Sequence, residues 1–402
     1  MFGQVGMSTT NKSITVGFFW QTQRSNNLGV GALALSNLAL ASKAAARCGL
    51  TLEPWIFCSS DQNQMLGQTH TSGHVGDAMS PKRMLLGKSQ FIKQIKNCDV
   101  ALDIGEGDSF SDIYGAKRLL LLCLSKFLLI YHRVPLVISP QTIGPFKAAW
   151  GGKLSNWLMR RATRVFARDN LSMNYLKNSD IVENSDEVID VAFALPYDKI
   201  IQRDIEKVHV GLNVSGLLFH GGYTGDNQFG LKCDYASLVR KLLAHFCADP
   251  KVQVHLIGHV ISDTFEVEDD YRVIQKMHKD FPSCVLAPKF STPSQAKSYI
   301  AGLDFFTGAR MHACIGAFSS GVPVVPMAYS RKFNGLFGTL NYRNLADLKA
   351  HDTDEAFMHI VNGFERRPDL AAQVAAGNLL AQQKLKKYED YLVSLFGALA
   401  HG

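Results

Sequence analysis

Leu303-Asp304-Phe305-Phe306-Thr307-Gly308-Ala309-Arg310-Met311-His312 passes from an aromatic and β-branched run, through a glycine, into a run of small residues that continues as Ala313-Cys314-Ile315-Gly316-Ala317. The first part has the composition of a buried parallel strand and the last that of a helix. Strand, glycine and helix in so short a space make the turn of a βα unit. Arg310 and His312 then stand at a helix start, beside the carboxyl end of a strand. Unpaired N–H groups and the positive end of the helix dipole favour an anion there. Arg310 adds a forked, permanent charge, and His312 a group that can carry a proton near neutral pH. The structural alternative is that Arg310 pairs with a nearby carboxylate and His312 is a satisfied core histidine.

The same alternation runs outward in both directions. Towards the N-terminus, strands are expected at Ile14–Trp20, Leu52–Cys58, Val100–Ile104, Leu136–Ser139 and Arg164–Ala167. Helices at Gly31–Arg47, Leu85–Lys96, Ala116–His132, Lys153–Arg161 and Leu171–Lys177 separate or follow them. The polar stretch Pro196–Lys207 interrupts the pattern, which restarts with strands near His209–Val214, Gln253–Gly258, Ser283–Leu286 and Val322–Met327. The intervening helices are expected at Asp234–Cys247, Asp269–Lys279, Ser294–Ala301 and Met311–Ser319. Strand and helix in alternation imply parallel sheets covered on both faces. The fold class is therefore α/β, with two Rossmann-like doubly wound domains in a glycosyltransferase-B-like arrangement and a ligand cleft between them. The expected bounds are residues 12–195 for the N-terminal domain and 205–352 for the C-terminal one. Helices over 353–402 follow, the last packing back on the N-terminal domain. Ser59–Pro81, rich in Gly, Ser, Thr, Gln and His, reads as a mobile loop over the cleft.

Composition narrows the function. With 47% hydrophobic and 19% charged residues in 402, a folded chain with a large core is expected and disorder is excluded as its main state. The net charge of +7 is spread along the chain with no Lys/Arg block, which suits small anionic ligands better than nucleic acid. No Cys-x-x-Cys occurs among the eight cysteines, and no Cys/His set has zinc-ligand spacing, so reduced thiols in a cytoplasmic protein are expected. Met1-Phe2-Gly3-Gln4 begins without a basic, then apolar, leader. The apolar run Leu119–Tyr131 is short and broken by Lys126, so membrane contact is expected to be peripheral at most.

Further candidates fall at strand ends. Arg168, in Phe166-Ala167-Arg168-Asp169, would point into the cleft opposite Arg310, with Asp169 as a helix cap. Tyr329-Ser330-Arg331-Lys332 brings the hydroxyl of Ser330 and the charge of Lys332 to the same edge. Gly105-Glu106-Gly107-Asp108-Ser109-Phe110-Ser111-Asp112 is too acidic for phosphate, and its Glu106 and Asp108 suit sugar hydroxyls or a general base. Asp112 fits either that role or a helix cap. Gln141 and Thr142 could hold a ligand, and Asn26, in Asn26-Asn27-Leu28-Gly29, follows the first strand where ligand loops commonly fall. His259 is a cleft candidate, whereas Glu268-Asp269-Asp270 reads as a first helical turn. The glycine-rich stretch Phe219–Thr224 could donate backbone N–H groups.

In this order these stretches resemble the polysaccharide pyruvyl transferase family. The resemblance runs over about residues 14–340, through Asn26–Gly29, Gly105–Asp112, Gln141–Phe146, Arg168-Asp169 with Ser172, Gly308–His312 with Pro323, and Tyr329–Lys332. Val30 stands where the family often has Asp, and Glu106 interrupts a common Gly-Gly-Gly; both departures bear on the acceptor half. The resemblance implies transfer of a pyruvyl group from phosphoenolpyruvate to two hydroxyls of one sugar, giving a cyclic ketal and phosphate. Arg168, Arg310, Met311, His312, Ser330 and Lys332, with the cleft candidate His259, are then expected on phosphoenolpyruvate, and Asn26, Asp112, Gln141 and Thr142 on the acceptor sugar. His312 would be the general acid or a phosphate ligand, and Asp108 or Glu106 the base. Phosphoenolpyruvate is a co-substrate, so no cofactor or metal is expected. The partner it implies is a glycan, free or lipid-linked, expected in the cytoplasm or at the inner face of its membrane. A nucleotide-sugar glycosyltransferase and a non-catalytic saccharide-binding scaffold are the alternatives.

Overall fold

The computed structural model describes residues 12–22, 25–58, 73–105, 109–199 and 204–401. The N-terminal half runs β1 (Ser13–Phe19), α1 (Leu28–Arg47), β2 (Thr51–Phe57), β3 (His74–Val75), α2 (Pro81–Leu85), α3 (Phe91–Lys96) and β4 (Val100–Asp103). It continues β5 (Ser109–Phe110), α4 (Ala116–Tyr131), β6 (Leu136–Ile143), α5 (Ala149–Arg161), β7 (Arg164–Ala167), α6 (Asn170–Asn178) and β8 (Ser185–Glu187). The strands lie parallel in the order β3-β2-β1-β4-β6-β7-β8, with β5 added beside β6. The second half runs β9 (Val208–Asn213), α7 (Gly216–Phe219), α8 (Tyr235–Cys247), β10 (Val252–Ile257), α9 (Asp270–Asp280), β11 (Val285–Leu286) and α10 (Pro293–Ile300). After these come β12 (Phe305–Gly308), α11 (Met311–Ser319), β13 (Val324–Ala328), α12 (Arg331–Thr339), β14 (Ala346–Asp347), α13 (Thr353–Glu365) and α14 (Arg367–His401). Its sheet order is β11-β10-β9-β12-β13-β14, again parallel. Two doubly wound sheets result. Strand order reverses between β1 and β4 in one and between β9 and β12 in the other, and ligands collect outside such reversals.

Several details depart from the sequence expectation. The helix expected at Leu85–Lys96 is two short helices, broken where Gly87 takes a positive φ of 66°. The strand expected to stop at Ser139 runs on to Ile143, because a register irregularity between Ile138 and Gln141 lets Pro140 sit inside the sheet without a ladder donor. α12 and the short strands β5, β8 and β14 were not foreseen, and α7 occupies ground read as loop. Of the expected loop at 59–81, residues 59–72 lie outside the described residues, while β3 and the start of α2 fill part of the remainder. Among the described residues, α1 rather than α4 is the helix long and apolar enough to cross a membrane, and 72% of its apolar window is buried inside the protein.

An apolar seam joins the halves. Leu28 and Ala32 of α1, Ile300 of α10, Ala313 and Ala317 of α11, and Val374 of α14 belong to one buried cluster. α14 crosses both sheets' flanks. Its Asn378 donates to the carbonyl of Phe318 (2.6 Å), and Tyr388 donates from its hydroxyl to Asn37 (2.8 Å) and Ser139 (3.0 Å) of the N-terminal half. Lys43 and Arg47 of α1 hold Glu389.

Lys126, read as a break in an apolar run, is wholly buried. Its ammonium lies 2.8 Å from Asp103 and 4.4 Å from the centre of the Phe110 ring. Asp103 in turn accepts from the Gly105 N–H (3.0 Å), so the pair fixes the turn that follows β4. Removing one partner of such a pair strands the other charge. Lys126→Met is expected to lower unfolding free energy by about 3–5 kcal/mol, and Lys126→Met with Asp103→Asn to recover much of that loss. Denaturant titration checks both; a single-variant loss under about 1 kcal/mol would contradict a dry, tightly coupled pair.

Candidate functional site

The site is built on three strand ends. Asn213, closing β9, donates to the carbonyl of Ile257 at the end of β10 (2.9 Å) and accepts from the N–H of Arg310 after β12 (2.9 Å). Gly308 is required here, since a Cβ would come within 2.7 Å of the Asn213 Cβ. Arg310 therefore occupies the N-cap position of α11, with no side chain capping that helix. The expected strand–glycine–helix turn is present.

The arginines are committed differently from the expectation. Arg310 Nε lies 3.1 and 3.2 Å from the two Asp270 oxygens, and its Nη2 donates to Asp270 (2.7 Å) and to the Glu268 carbonyl (3.0 Å). Burial opposes the guanidinium charge, but Asp270 overcomes it and raises Arg310 above its ordinary range. Only Nη1 lacks a hydrogen-bond partner among the described residues, so Arg310 can offer a ligand one edge and not its whole fork. Asp270, read as a simple helix-start acid, is a fully buried hub. It also accepts from the N–H groups of Gly216 (2.8 Å), His259 (3.0 Å) and Val260 (2.9 Å).

Arg168 does not project into open cleft opposite Arg310. It is 1% exposed, with Nε donating to the Thr142 hydroxyl (2.9 Å) and Nη1 to Asp190 (2.8 Å). Thr142 is thus occupied inside the protein. Asp190 went unnoticed in the sequence, although a lone acid within Val188-Ile189-Asp190-Val191-Ala192 is the signature of a buried, paired carboxylate. Burial works against its charge, while Arg168 and His312 hold its carboxyl below the usual range.

His312 stands where the halves meet. Its Nε2 is 3.7 Å from Asp190, too far for a hydrogen bond, and is buried without a hydrogen-bond partner. On the other side its ring lies against the first turn of α1: a Cβ on Gly29 would sit 2.4 Å from Nδ1. The backbone around His259 ties this arrangement together. Leu28 donates to the His259 carbonyl (3.1 Å), Ile261 donates to the Asn26 carbonyl (2.8 Å), and Asn27 and Val260 form an antiparallel bridge. Asn26 thus acts through its backbone, its side chain remaining exposed. The buried His259 ring lines a narrow enclosed space with His312 and Lys297. Lys297, unforeseen from its polar surroundings, donates to the carbonyls of Leu195 (3.0 Å) and Phe193 (3.4 Å) across the seam, and burial pulls it down to about 8.

Two further cations close the cleft rim. Lys332 lies 5.9 Å from the Tyr114 ring centre, its amine pulled down to about 8 by burial, and Arg331 Nη2 donates to the Gly144 carbonyl (2.6 Å). Ser330 holds the N-cap position of α12 without a side-chain capping bond, and Met311 packs half-buried against the seam. Other expected acceptor residues serve the scaffold. Gln141 donates to the carbonyls of Asp103 and Ser139, its Oε1 pressed against Gly105. Asp112 accepts from the N–H groups of Lys147 (3.0 Å) and Ala148 (2.7 Å) at the start of α5, not from its own following helix. Glu106 and Asp108 lie outside the described residues.

His259 gives a pH prediction. Burial, then the charges of His312 and Arg310, lower it to about 3. A group that binds its proton far less readily folded than unfolded costs no stability above the unfolded value near 6.5, and costs progressively more as pH falls from there towards 3. His259→Asn is expected to reduce proton uptake on unfolding by about one between pH 6 and 4. An unchanged acid slope in urea titrations would show that His259 is solvated.

Comparison with known proteins follows the same lines. Residues 35–331 match the family model described as polysaccharide pyruvyl transferase. The amylovoran biosynthesis protein AmsJ of Erwinia amylovora is 19% identical over 311 residues, 71% of this chain and 70% of AmsJ. The fold is similar to that of HepE from Anabaena, solved in complex with UDP-glucose (TM-score 0.57, 14% identity, 95% of this chain and 98% of HepE). It is also similar to S. aureus MnaA, solved with UDP (0.55, 12%, 94% and 97%), and to the lipopolysaccharide outer core galactosyltransferase WaaB (0.52, 13%, 94% and 99%). Paired doubly wound sheets of the glycosyltransferase-B kind are therefore common to this chain and these solved structures, and the family match, which spans well over half of the sequence and includes Arg168, Arg310 and His312, shows that this chain belongs to the polysaccharide pyruvyl transferases.

Proposed function

We propose that this enzyme moves the pyruvyl group of phosphoenolpyruvate onto two hydroxyls of one sugar in an envelope or exopolysaccharide glycan. The observation that carries this reading is the setting of His312. It is a protonatable ring at the start of α11, 3.7 Å from a buried carboxylate, with Nε2 bonded to nothing among the described residues. Phosphoenolpyruvate brings phosphate and carboxylate, which suit the uncapped starts of α11 and α12, the Nη1 edge of Arg310, Ser330 and Lys332.

In this scheme His312 protonates the methylene carbon, and the positive charge develops at the carbon bearing phosphate and carboxylate. One sugar hydroxyl adds there and loses its proton, to Asp108 or Glu106 in our assignment. The C–O bond to phosphate then breaks, and the second hydroxyl closes the ketal as its proton leaves with phosphate. The balance is one phosphoenolpyruvate and one diol to one ketal and one phosphate. Asp190 supports the positive imidazolium, and Arg168 keeps Asp190 ionised. Arg168 is thus a positioning residue, unlike the direct donor the sequence implied. No metal is invoked, since helix starts and cations can meet the charge. The acceptor, free or lipid-linked, would approach from the N-terminal half in the cytoplasm.

Incubation with phosphoenolpyruvate and a panel of glycan diols should release phosphate in step with acceptor. His312→Gln is expected to lower kcat by about 100-fold or more, with phosphoenolpyruvate binding changed only slightly. Asp190→Asn should lower kcat, because the imidazolium of His312 loses the carboxylate that faces it. Tight nucleotide-sugar binding with no phosphate release across the panel would favour a glycosyltransferase, and full activity of His312→Gln would remove it as the acid.

A further inference from the structure

From Ile113 to Arg168 the sequence contains no Asp or Glu and ten Lys or Arg. The whole chain has 35 acids in 402 residues, so about five would be ordinary in a stretch of this length. The stretch contains α4 and α5, which lie side by side. On α4, Lys117, Leu120, Leu124, Phe127 and Tyr131 recur every three or four residues and all but the half-buried Leu124 are exposed. On α5, Trp150, Lys153, Trp157, Arg160 and Arg161 do the same. Leu120 is 50% exposed, Tyr131 68%, Trp150 44% and Trp157 37%; single exposed apolar residues are common, but these adjoin one another. Phe127 stacks on Tyr131 (6.0 Å) and on Trp157 (6.3 Å), joining the two stripes. Six cations, Lys117, Arg133, Lys147, Lys153, Arg160 and Arg161, are exposed in these elements or their flanks. None makes a salt bridge among the described residues.

We infer that the outer face of α4 and α5 docks this enzyme on a lipid bilayer bearing anionic headgroups. Tryptophan and tyrosine settle at the headgroup boundary, leucine and phenylalanine just below it, and unpaired cations beside them meet lipid phosphates. Two adjoining helices that carry no acid of their own are what such a partner selects. The face continues to the cleft rim through the exposed Ile113 and Tyr114, the latter beneath Lys332. Docking itself does not depend on the reaction proposed above.

The full chain should sediment with phosphatidylcholine vesicles containing phosphatidylglycerol, and not with phosphatidylcholine alone, with binding weakening as salt rises. Its tryptophan emission should shift to the blue on binding. Lys153→Glu with Arg161→Glu, and separately Trp150→Ser with Trp157→Ser, should each weaken binding about tenfold or more, with circular dichroism confirming the wild-type fold. Wild-type protein left in the supernatant at low salt, or both variants binding as wild type, would overturn the inference. So would a wild-type dimer that the tryptophan variant dissociates without any vesicle binding, which would assign the face to a second copy of the chain.

Discussion

Two buried carboxylates, each neutralising one arginine, hold the cleft in shape. Asp190 belongs to the N-terminal half and pairs with Arg168; Asp270 belongs to the C-terminal half and pairs with Arg310. A guanidinium cannot be buried beside apolar strands without such a partner, and a carboxylate cannot be buried without filling its lone pairs. Asp270 fills its lone pairs with the N–H groups of Gly216, His259 and Val260. That fixes the backbone at 259–261, and the same backbone then bonds Asn26 and Leu28 of the opposite half. The position of α1, and so the wall against which His312 rests, follows from the satisfaction of one acid.

The sequence disclosed the architecture well because parallel strands and amphipathic helices announce themselves by period. Phe305–Gly308 and Met311–Ser319 fell where their composition puts them. What it disclosed poorly was any structure owed to a distant partner. Pro140 reads as a strand end, but neighbouring strands carry β6 past it. Arg168 and Arg310 read as donors awaiting a ligand because the acids that face them stand 22 and 40 residues away in sequence, and only folding brings them near. Asp112, just before α4, and Gln141, near the end of β6, are polar residues that look placed for sugar, yet the hydrogen bonds they make go to backbone. Local pattern cannot tell a polar group waiting for a ligand from one already answered by a neighbour.

The relation to nucleotide-sugar enzymes is one of scaffold. Two doubly wound sheets place strand-end loops around a cleft at their reversals, and many chemistries can be set there. In this cleft both arginines are largely committed to buried acids, Arg168 to Asp190 and Arg310 to Asp270. An anion bound as proposed would meet helix starts, a lysine over an aromatic ring and one edge of Arg310, rather than two open guanidinium forks. Affinity for an anion would then depend on close fit at the helix starts more than on raw charge, since helix dipoles act within about a turn of their ends.

The return of α14 across the molecule has a bearing on how the protein is made. Tyr388 completes the hydrogen bonding of Asn37, a partner 351 residues earlier. A ribosome adding about 10 residues per second needs on the order of half a minute to span that gap. Through most of that interval α1 is already outside the ribosome, with the side that α14 covers and the Asn37 amide exposed. The N-terminal half thus cannot finish folding before α14 has been made.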